Sequence, residues 1–170
     1  DFVEGGAVLE DPQAYALAQA EGKAQSVARQ YPDNWVIGAD TIVVIDELIL
    51  GKPKSKTEAR SMLMKLSDRT HRVYTGWCLH HETGGHHYGE TVKTVVIFKR
   101  LTAAEIEWYI HTDEPFDKAG SYAIQGLGTF LVKSISGSYT NVVGLPVCEV
   151  IDQLLKRDVI GLELGTQAHN

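Results

Sequence analysis

The spacing of apolar and polar residues along the chain predicts alternating helices and strands. Residues 12–29 follow a helical period after Pro12, which suits a first helical turn. Their mostly apolar stripe consists of Ala14, Leu17, Ala18, Glu21, Ala24, Val27 and Ala28. Residues 35–45 form an almost continuous apolar and β-branched run, which is typical of a strand buried on both faces. A turn then leads into a short strand over residues 48–50.

The second half of the pattern adds a hairpin and three more helices. Two of the helices begin with the spacing of a capping box, Ser55 with Glu58 and Thr102 with Glu105. The remaining elements are predicted from periodicity: strands over 73–79, 91–99 and 130–135, and an amphipathic helix over 147–155. Because helices alternate with strands around an inserted hairpin, we expect an α/β fold in which helices flank a mixed sheet.

Composition narrows the class of protein. The 170 residues, 44% hydrophobic and 22% charged, indicate a single globular domain. No apolar run is long enough to span a membrane and the first residues do not resemble a signal peptide, so we expect a soluble, cytoplasmic protein. A net charge of -6 argues against a nucleic-acid partner, because such binding needs many basic contacts. Any polyanionic ligand must be held by a few local cations.

Two charged residues stand out against this background. Asp40 interrupts an apolar strand, where a carboxylate is costly unless it is paired, binds metal or faces a cleft. Lys52 follows a short hairpin later, between Gly51 and Pro53. Asp40 could instead be a structural acceptor and Lys52 an ordinary surface lysine. If antiparallel pairing brings them together, they supply the minimum for binding a metal and a phosphate chain.

Residues 117–128 form a second candidate segment. It contains Lys118, Gln125 and three glycines, so it could place a cation, an amide and backbone N–H groups against a nucleotide. A simple tight turn remains an alternative, and the dinucleotide-binding fingerprint is not satisfied.

The histidines and cysteines are interpreted without a metal. We expect His80, His81, His86 and His87 to be solvated residues around a hairpin tip, because metal ligands normally need a supporting second shell. Cys78 and Cys148 have neither paired-thiol nor zinc spacing, and we expect both to be buried thiols.

Four segments resemble the signature blocks of the Maf proteins, in the order and spacing of that family. They are Gly38-Ala39-Asp40-Thr41-Ile42-Val43-Val44, Leu50-Gly51-Lys52-Pro53, the segment 117–126, and Val143-Gly144-Leu145-Pro146. The resemblance extends from about residue 1 to residue 157. It implies a nucleoside triphosphate pyrophosphatase with an elongated mixed sheet and a deep central cleft, related in fold to the inosine triphosphate pyrophosphatases and usually a homodimer.

The resemblance also implies roles for individual residues. Asp40 would accept a proton from the attacking water and face a divalent metal, Mg²⁺ or Mn²⁺, and Lys52 would hold the triphosphate. Glu4 matches a metal ligand and Lys23 a phosphate contact. Thr41 and Gln125 resemble the branch that acts on dTTP, UTP and related pyrimidine nucleotides, whereas the branch that prefers 7-methyl-GTP differs at both positions.

The resemblance also concerns an N-terminal phosphate loop and a possible role other than catalysis. The family also has an N-terminal strand and a Ser-x-Ser-Pro-Arg-Arg phosphate loop, which these 170 residues do not contain, and we expect them in the complete protein. The alternative to an enzyme is a nucleotide-binding regulator of septum formation whose action does not require catalysis.

Overall fold

The computed structural model describes residues 11–162. The helices in this range are α1 (Pro12–Ala28), α2 (Lys56–Leu66), α3 (Ala103–Ile110), α4 (Tyr139–Val143) and α5 (Val147–Lys156). The strands are β1 (Val36–Ile45), β2 (Leu48–Leu50), β3 (Thr70–His81), β4 (His86–Phe98) and β5 (Val132–Ser136). Three short 3₁₀ helices span Glu114–Asp117, Ala119–Ser121 and Gly126–Leu131.

The strands form one sheet in the order β2-β1-β3-β4-β5. All four pairings among the described residues are antiparallel, and the long β3–β4 hairpin is at its centre. The predicted α/β class with helices flanking a sheet is confirmed. A parallel pairing, which a mixed sheet would include, does not occur within residues 11–162.

Helix α1 lies directly on one face of the sheet. Asp11 caps it by accepting from the backbone N–H groups of Gln13 and Ala14. The residues that it buries are Ala16, Ala20, Ala24 and Ala28, spaced one helical turn apart. These methyl groups fit because Gly38 and Gly76 present bare backbone beneath them. The apolar stripe expected from the sequence was therefore only partly right: Ala24 and Ala28 are buried, but Ala14, Ala18 and Val27 are exposed, since only the alanine row can approach the strands so closely.

The opposite face of the sheet carries the main core. Alternate side chains of the strands point to this face, and they pack against apolar residues of α2 and α3. The fully buried members include Leu63, Leu66, Val96, Tyr109 and Ile110. At the far end of the hairpin, Trp77 and Leu79 pack against Val150 and Leu154 of α5.

Most predicted boundaries hold, but β3 and β4 continue pairing toward their shared turn beyond the predicted 73–79 and 91–99. Thr102 and Glu105 form the predicted capping box. Ser55 caps α2, but the Glu58 carboxylate accepts from the Lys54 backbone N–H instead of completing the box. Strand β5 begins at Val132 rather than at residue 130, because the 3₁₀ helix continues to Leu131. Helix α4 was not predicted; it is short, and the Ser138 side chain caps it by accepting from the Asn141 backbone N–H.

The hairpin histidines lie in the strands instead of in a loop. His80 pairs with His87 and His81 with His86 across β3 and β4, and the turn between them is only four residues long. His80 and His81 are partly buried, so the expectation of solvated loop side chains was wrong for these two. Cys78 is buried as expected, whereas Cys148 is exposed.

None of the described helices combines the length and apolar character needed to cross a membrane.

Candidate active site

A cleft of about 310 Å³ opens beside β1 and is bounded by α1, the Lys52 segment, the 3₁₀ segments and α4. Only Val43, Val44 and Ile45 of β1 pair with β2, so the edge of β1 before Val43 has no described partner strand on that side. The cleft therefore reaches side chains on both faces of the sheet around this edge.

Asp40 and Thr41 lie at the point where the two faces meet. Consecutive strand residues point to opposite faces. Asp40, which is opposite Gly76 in β3, points toward α1, while Thr41, opposite Thr75, points toward α4. One cleft thus has a charged half on the α1 side and a more apolar half on the α4 side.

In the charged half, Lys23 binds Asp40. The Lys23 Nζ atom is 2.5 Å from Asp40 Oδ1 and 3.5 Å from the carbonyl oxygen of Ala39. The Asp40 side chain is 21% exposed and that of Lys23 is 58% exposed, so the pair is accessible from the cleft. Asp40 Oδ2 has no hydrogen-bond partner among the described residues. The carboxylate is consequently held in place and keeps one oxygen for a ligand or a proton.

Two more lysines, Lys52 and Lys118, line the same cleft. The backbone N–H of Gly120 donates to the carbonyl oxygen of Gly51 at 3.0 Å, which joins the Lys52 segment to the Lys118 segment. Lys118 Nζ donates to Asp117 Oδ2 at 2.8 Å. This hydrogen bond, with a smaller contribution from the charge of Lys52, lowers the pKa of Asp117 below its usual value. Three lysines and two carboxylates line the cleft, leaving a net positive charge in a protein of net charge -6.

The other half is lined by aliphatic side chains and by Thr41. Val43, Val73, Ile124 and Val142 form its wall. Such a surface suits a flat, weakly polar ring better than a phosphate chain.

Tyr122 also lines this half, but its hydroxyl group is already bonded to His71. The Tyr122 hydroxyl is 2.8 Å from His71 Nε2. Both residues are buried, and Phe98 packs edge-on against each ring. Burial lowers the pKa of His71 to about 4 and raises that of Tyr122, so both groups stay neutral at pH 7.

The loop that carries Gln125 is held from beneath by Glu114. The Glu114 carboxylate accepts from the backbone N–H groups of Leu127 and Gly128 at 2.9 Å each and from the Tyr109 hydroxyl at 2.8 Å. The Tyr109 oxygen accepts in turn from the Ala123 backbone N–H at 3.2 Å. Glycine is required at position 126, where φ is +72° and a Cβ would lie 2.7 Å from Glu114 Oε2. Gln125 therefore projects from a well-anchored loop.

The cleft brings together six residues singled out from the sequence: Lys23, Asp40, Thr41, Lys52, Lys118 and Gln125. Glu4 lies outside the described residues. Sequence reasoning missed Thr75, Asn141 and Glu114, which touch or support these side chains. Thr75 interrupts an apolar run in β3 and could have been noticed; Glu114 and Asn141 have no comparable signal.

The donor set of the cleft fits a hard divalent cation that a phosphate chain helps to hold. Within the described residues, no group of three or more His, Cys, Asp or Glu side chains is arranged to bind a metal. Mg²⁺ usually keeps several waters and takes one or two carboxylates together with phosphate oxygens. Asp40, with its unpaired Oδ2, can supply one such ligand.

Comparison with known proteins agrees with this architecture. The family described as Maf-like protein matches residues 3–157. A protein of Syntrophus aciditrophicus called dTTP/UTP pyrophosphatase is 44% identical over 161 residues, which cover 95% of this chain and 78% of the relative. A protein of the same name from Myxococcus xanthus is 47% identical, over 94% of this chain and 78% of the relative. Another, from Halalkalibacterium halodurans, is 51% identical, over 79% of this chain and 70% of the relative. The chain belongs to the Maf family.

Proposed function

We propose that this protein hydrolyses dTTP, UTP and related pyrimidine nucleoside triphosphates to the monophosphate and pyrophosphate. The observation that carries the proposal is the division of the cleft. The Asp40–Lys23 pair lies on the α1 side, the aliphatic wall with Thr41 lies on the α4 side, and two more lysines line the same cleft. The names of the relatives support the same chemistry and the same nucleotides.

Four of the five described charged residues that line the cleft have a role in this reaction. Asp40 accepts a proton from the water that attacks the α-phosphorus, and Lys23 holds the carboxylate in position. The bond from the α-phosphorus to the bridging oxygen breaks, and pyrophosphate leaves with its new charge stabilised by Lys52 and Lys118. Preorganised charges of this kind lower a barrier by about 3 kcal/mol each.

A divalent cation, Mg²⁺ or Mn²⁺, is part of the proposal. When bound, it neutralises charge on the triphosphate. Asp40 would hold it, with Glu4 as a second ligand from outside the described residues. The protein is further proposed to act as a single-domain homodimer in the cytoplasm, and Thr41 and Gln125 are proposed to contact the base.

The direct test measures the rate of hydrolysis of several nucleoside triphosphates. The complete protein is incubated with Mg²⁺ or Mn²⁺ and with dTTP, UTP, CTP or 7-methyl-GTP, and pyrophosphate and monophosphate are quantified. We expect dTTP and UTP to be cleaved fastest. Faster cleavage of 7-methyl-GTP would assign the protein to the other branch. Binding without turnover of any nucleotide would favour the regulator of septum formation.

Asp40→Asn tests the role of the carboxylate in the same assay. The amide keeps the shape but cannot act as a base, so kcat should fall at least ~100-fold while calorimetry still detects nucleotide binding. Asp33→Asn is the matched control, because Asp33 accepts a hydrogen bond from Thr83 outside the cleft and its replacement should leave kcat unchanged. Retention of most activity by Asp40→Asn would assign the base to another group.

A further inference from the structure

Two threonine hydroxyl groups meet at the inner end of the aliphatic half of the cleft. Thr41 Oγ1 is 2.8 Å from Thr75 Oγ1. Each hydroxyl has one proton to donate. Thr75 donates its proton to the backbone carbonyl oxygen of Asn141 at 2.9 Å, and a carbonyl oxygen can only accept. Thr75 can therefore meet Thr41 only as an acceptor.

It follows that Thr41 donates its single proton to Thr75. Its other near neighbour, the carbonyl oxygen of Gly144 at 3.5 Å, is also only an acceptor, so the Thr41 proton is directed to a protein oxygen in either case. The part of the Thr41 oxygen that faces the cleft thus carries lone pairs and no hydrogen.

The elements behind Thr75 hold this arrangement in place. Asn141 is fully buried, and its Nδ2 atom donates to the Val73 carbonyl oxygen at 3.3 Å and to Thr94 Oγ1 at 2.9 Å. Thr94 donates its own proton to the Ser138 carbonyl oxygen at 2.9 Å. Both Nδ2 protons are used, so the Asn141 side chain ties α4 to β3 and β4 and holds in place the Asn141 backbone carbonyl that accepts from Thr75.

The cleft leaves few other polar groups for a base. Among the described lining residues, the uncharged side chains that can form hydrogen bonds are Thr41, Tyr122 and Gln125, and the Tyr122 hydroxyl is bonded to His71. In the proposed function the base lies against the aliphatic wall, which brings it within reach of Thr41.

We propose that Thr41 acts toward the ligand only as a hydrogen-bond acceptor, and that it selects a base with an N–H group at the point of contact. The inference rests on the proposed function, in which the base is uracil or thymine. The only N–H group of either base in a nucleotide is the N3 imide, so N3–H donates to Thr41 Oγ1. Thr75 is a positioning residue that fixes the direction of the Thr41 proton.

The test compares UTP with 3-methyl-UTP, which lacks the N3–H donor, and with 5-methyl-UTP, which is methylated but keeps it. Initial rates give kcat/KM for the wild type and for Thr41→Val, Thr41→Ser, Thr75→Val and Thr75→Ser. Valine keeps the shape of threonine and removes the hydroxyl, whereas serine keeps the hydroxyl. Thr91→Val is the matched control, because the Thr91 hydroxyl donates to a backbone carbonyl outside the cleft.

The wild type should prefer UTP to 3-methyl-UTP at least about tenfold, which is the range expected for one lost hydrogen bond to a partly buried acceptor. In Thr41→Val this preference should fall at least about threefold, because UTP is cleaved less well and 3-methyl-UTP is not affected in proportion. Thr75→Val should also lower the preference for UTP over 3-methyl-UTP, mainly by raising the KM for UTP. Both serine variants should keep the preference for UTP over 3-methyl-UTP. In every variant, kcat/KM for 5-methyl-UTP should change in the same way as kcat/KM for UTP.

Three results would overturn the inference while leaving the proposed function intact: a wild type that cleaves UTP and 3-methyl-UTP equally, a Thr41→Val enzyme that keeps the full preference, or one that loses both substrates equally. If the wild type cleaves no pyrimidine triphosphate at all, the proposed function itself fails.

Discussion

At the scale of single residues, the buried histidine beneath the cleft couples stability to pH. His71 is 1% exposed and its Nδ1 atom has no partner among the described residues, while Nε2 meets the Tyr122 hydroxyl. Burial lowers its pKa from 6.5 to about 4. Between those two values the unfolded chain binds a proton that the folded protein does not, so folding becomes less favourable as the pH falls.

We therefore expect the free energy of unfolding to fall by about 2 kcal/mol from this residue alone between pH 7 and pH 5. The loss should be absent in His71→Gln, which has no titrating ring. Urea denaturation at both pH values measures the difference. Tyr122→Phe is the control, because it removes the hydroxyl and keeps the titrating His71 ring. Its free energy of unfolding should therefore depend on pH as steeply as that of the wild type. Equal slopes for the wild type and His71→Gln would contradict the assignment.

At the scale of elements, the loop that carries Gln125 depends on a carboxylate that lies under it. The two carboxylate oxygens of Glu114 accept hydrogen bonds from Leu127, Gly128 and Tyr109. In Glu114→Gln, an N–H₂ group replaces one of these oxygens. At least one of these contacts then becomes donor against donor. The loop loosens without any change in the charged half of the cleft.

Glu114→Gln should raise KM for UTP about tenfold while kcat changes by less than about threefold. Steady-state kinetics separates the two constants. Glu105→Gln serves as the comparison, because Glu105 also accepts from a backbone N–H, that of Thr102, but caps α3 away from the cleft. A Glu105→Gln enzyme should lose stability and keep its KM. If Glu114→Gln behaves in the same way, the loop does not position Gln125.

The elements also show where sequence reasoning succeeds. Period and capping predicted every described strand and every described α-helix but α4 because both are local properties, and Asp40 was conspicuous because a charge interrupts an apolar strand. Half of the buried face of α1, Ala16 and Ala20, was missed because that face depends on Gly38 and Gly76, which come from strands distant in sequence. For the same reason, no local pattern indicates that Thr75 and Asn141 meet behind Thr41.

At the scale of the whole molecule, the distance between the α1 layer and the sheet sets the position of Lys23. A Cβ at Gly76 would lie 2.3 Å from backbone atoms of Ala16 and Leu17, so the helix must move to admit it. At Gly22, on the same helix, a Cβ would meet no atom within 4 Å. The two glycines therefore form a matched pair for testing how the layers pack.

Gly76→Ala should destabilise the protein by about 2 kcal/mol or more and lower kcat/KM, because α1 and Lys23 move away from Asp40. Gly22→Ala should stabilise it by about 0.5–1 kcal/mol through helix propensity, with activity retained. Thermal melting and steady-state kinetics on both variants give the comparison. A fully active and stable Gly76→Ala protein would show that the contact between α1 and β3 does not set the Lys23 position.

The direct contact of α1 with strand backbone has a consequence for how this protein can vary. Where two layers are separated by large side chains, a substitution on one can be absorbed by a new rotamer on the other. Methyl groups and bare glycines have no rotamers, so this contact cannot adjust by small steps. Adaptation of the enzyme to new nucleotides is then expected to concentrate in the Gln125 loop and around α4, with the alanine row of α1 left unchanged.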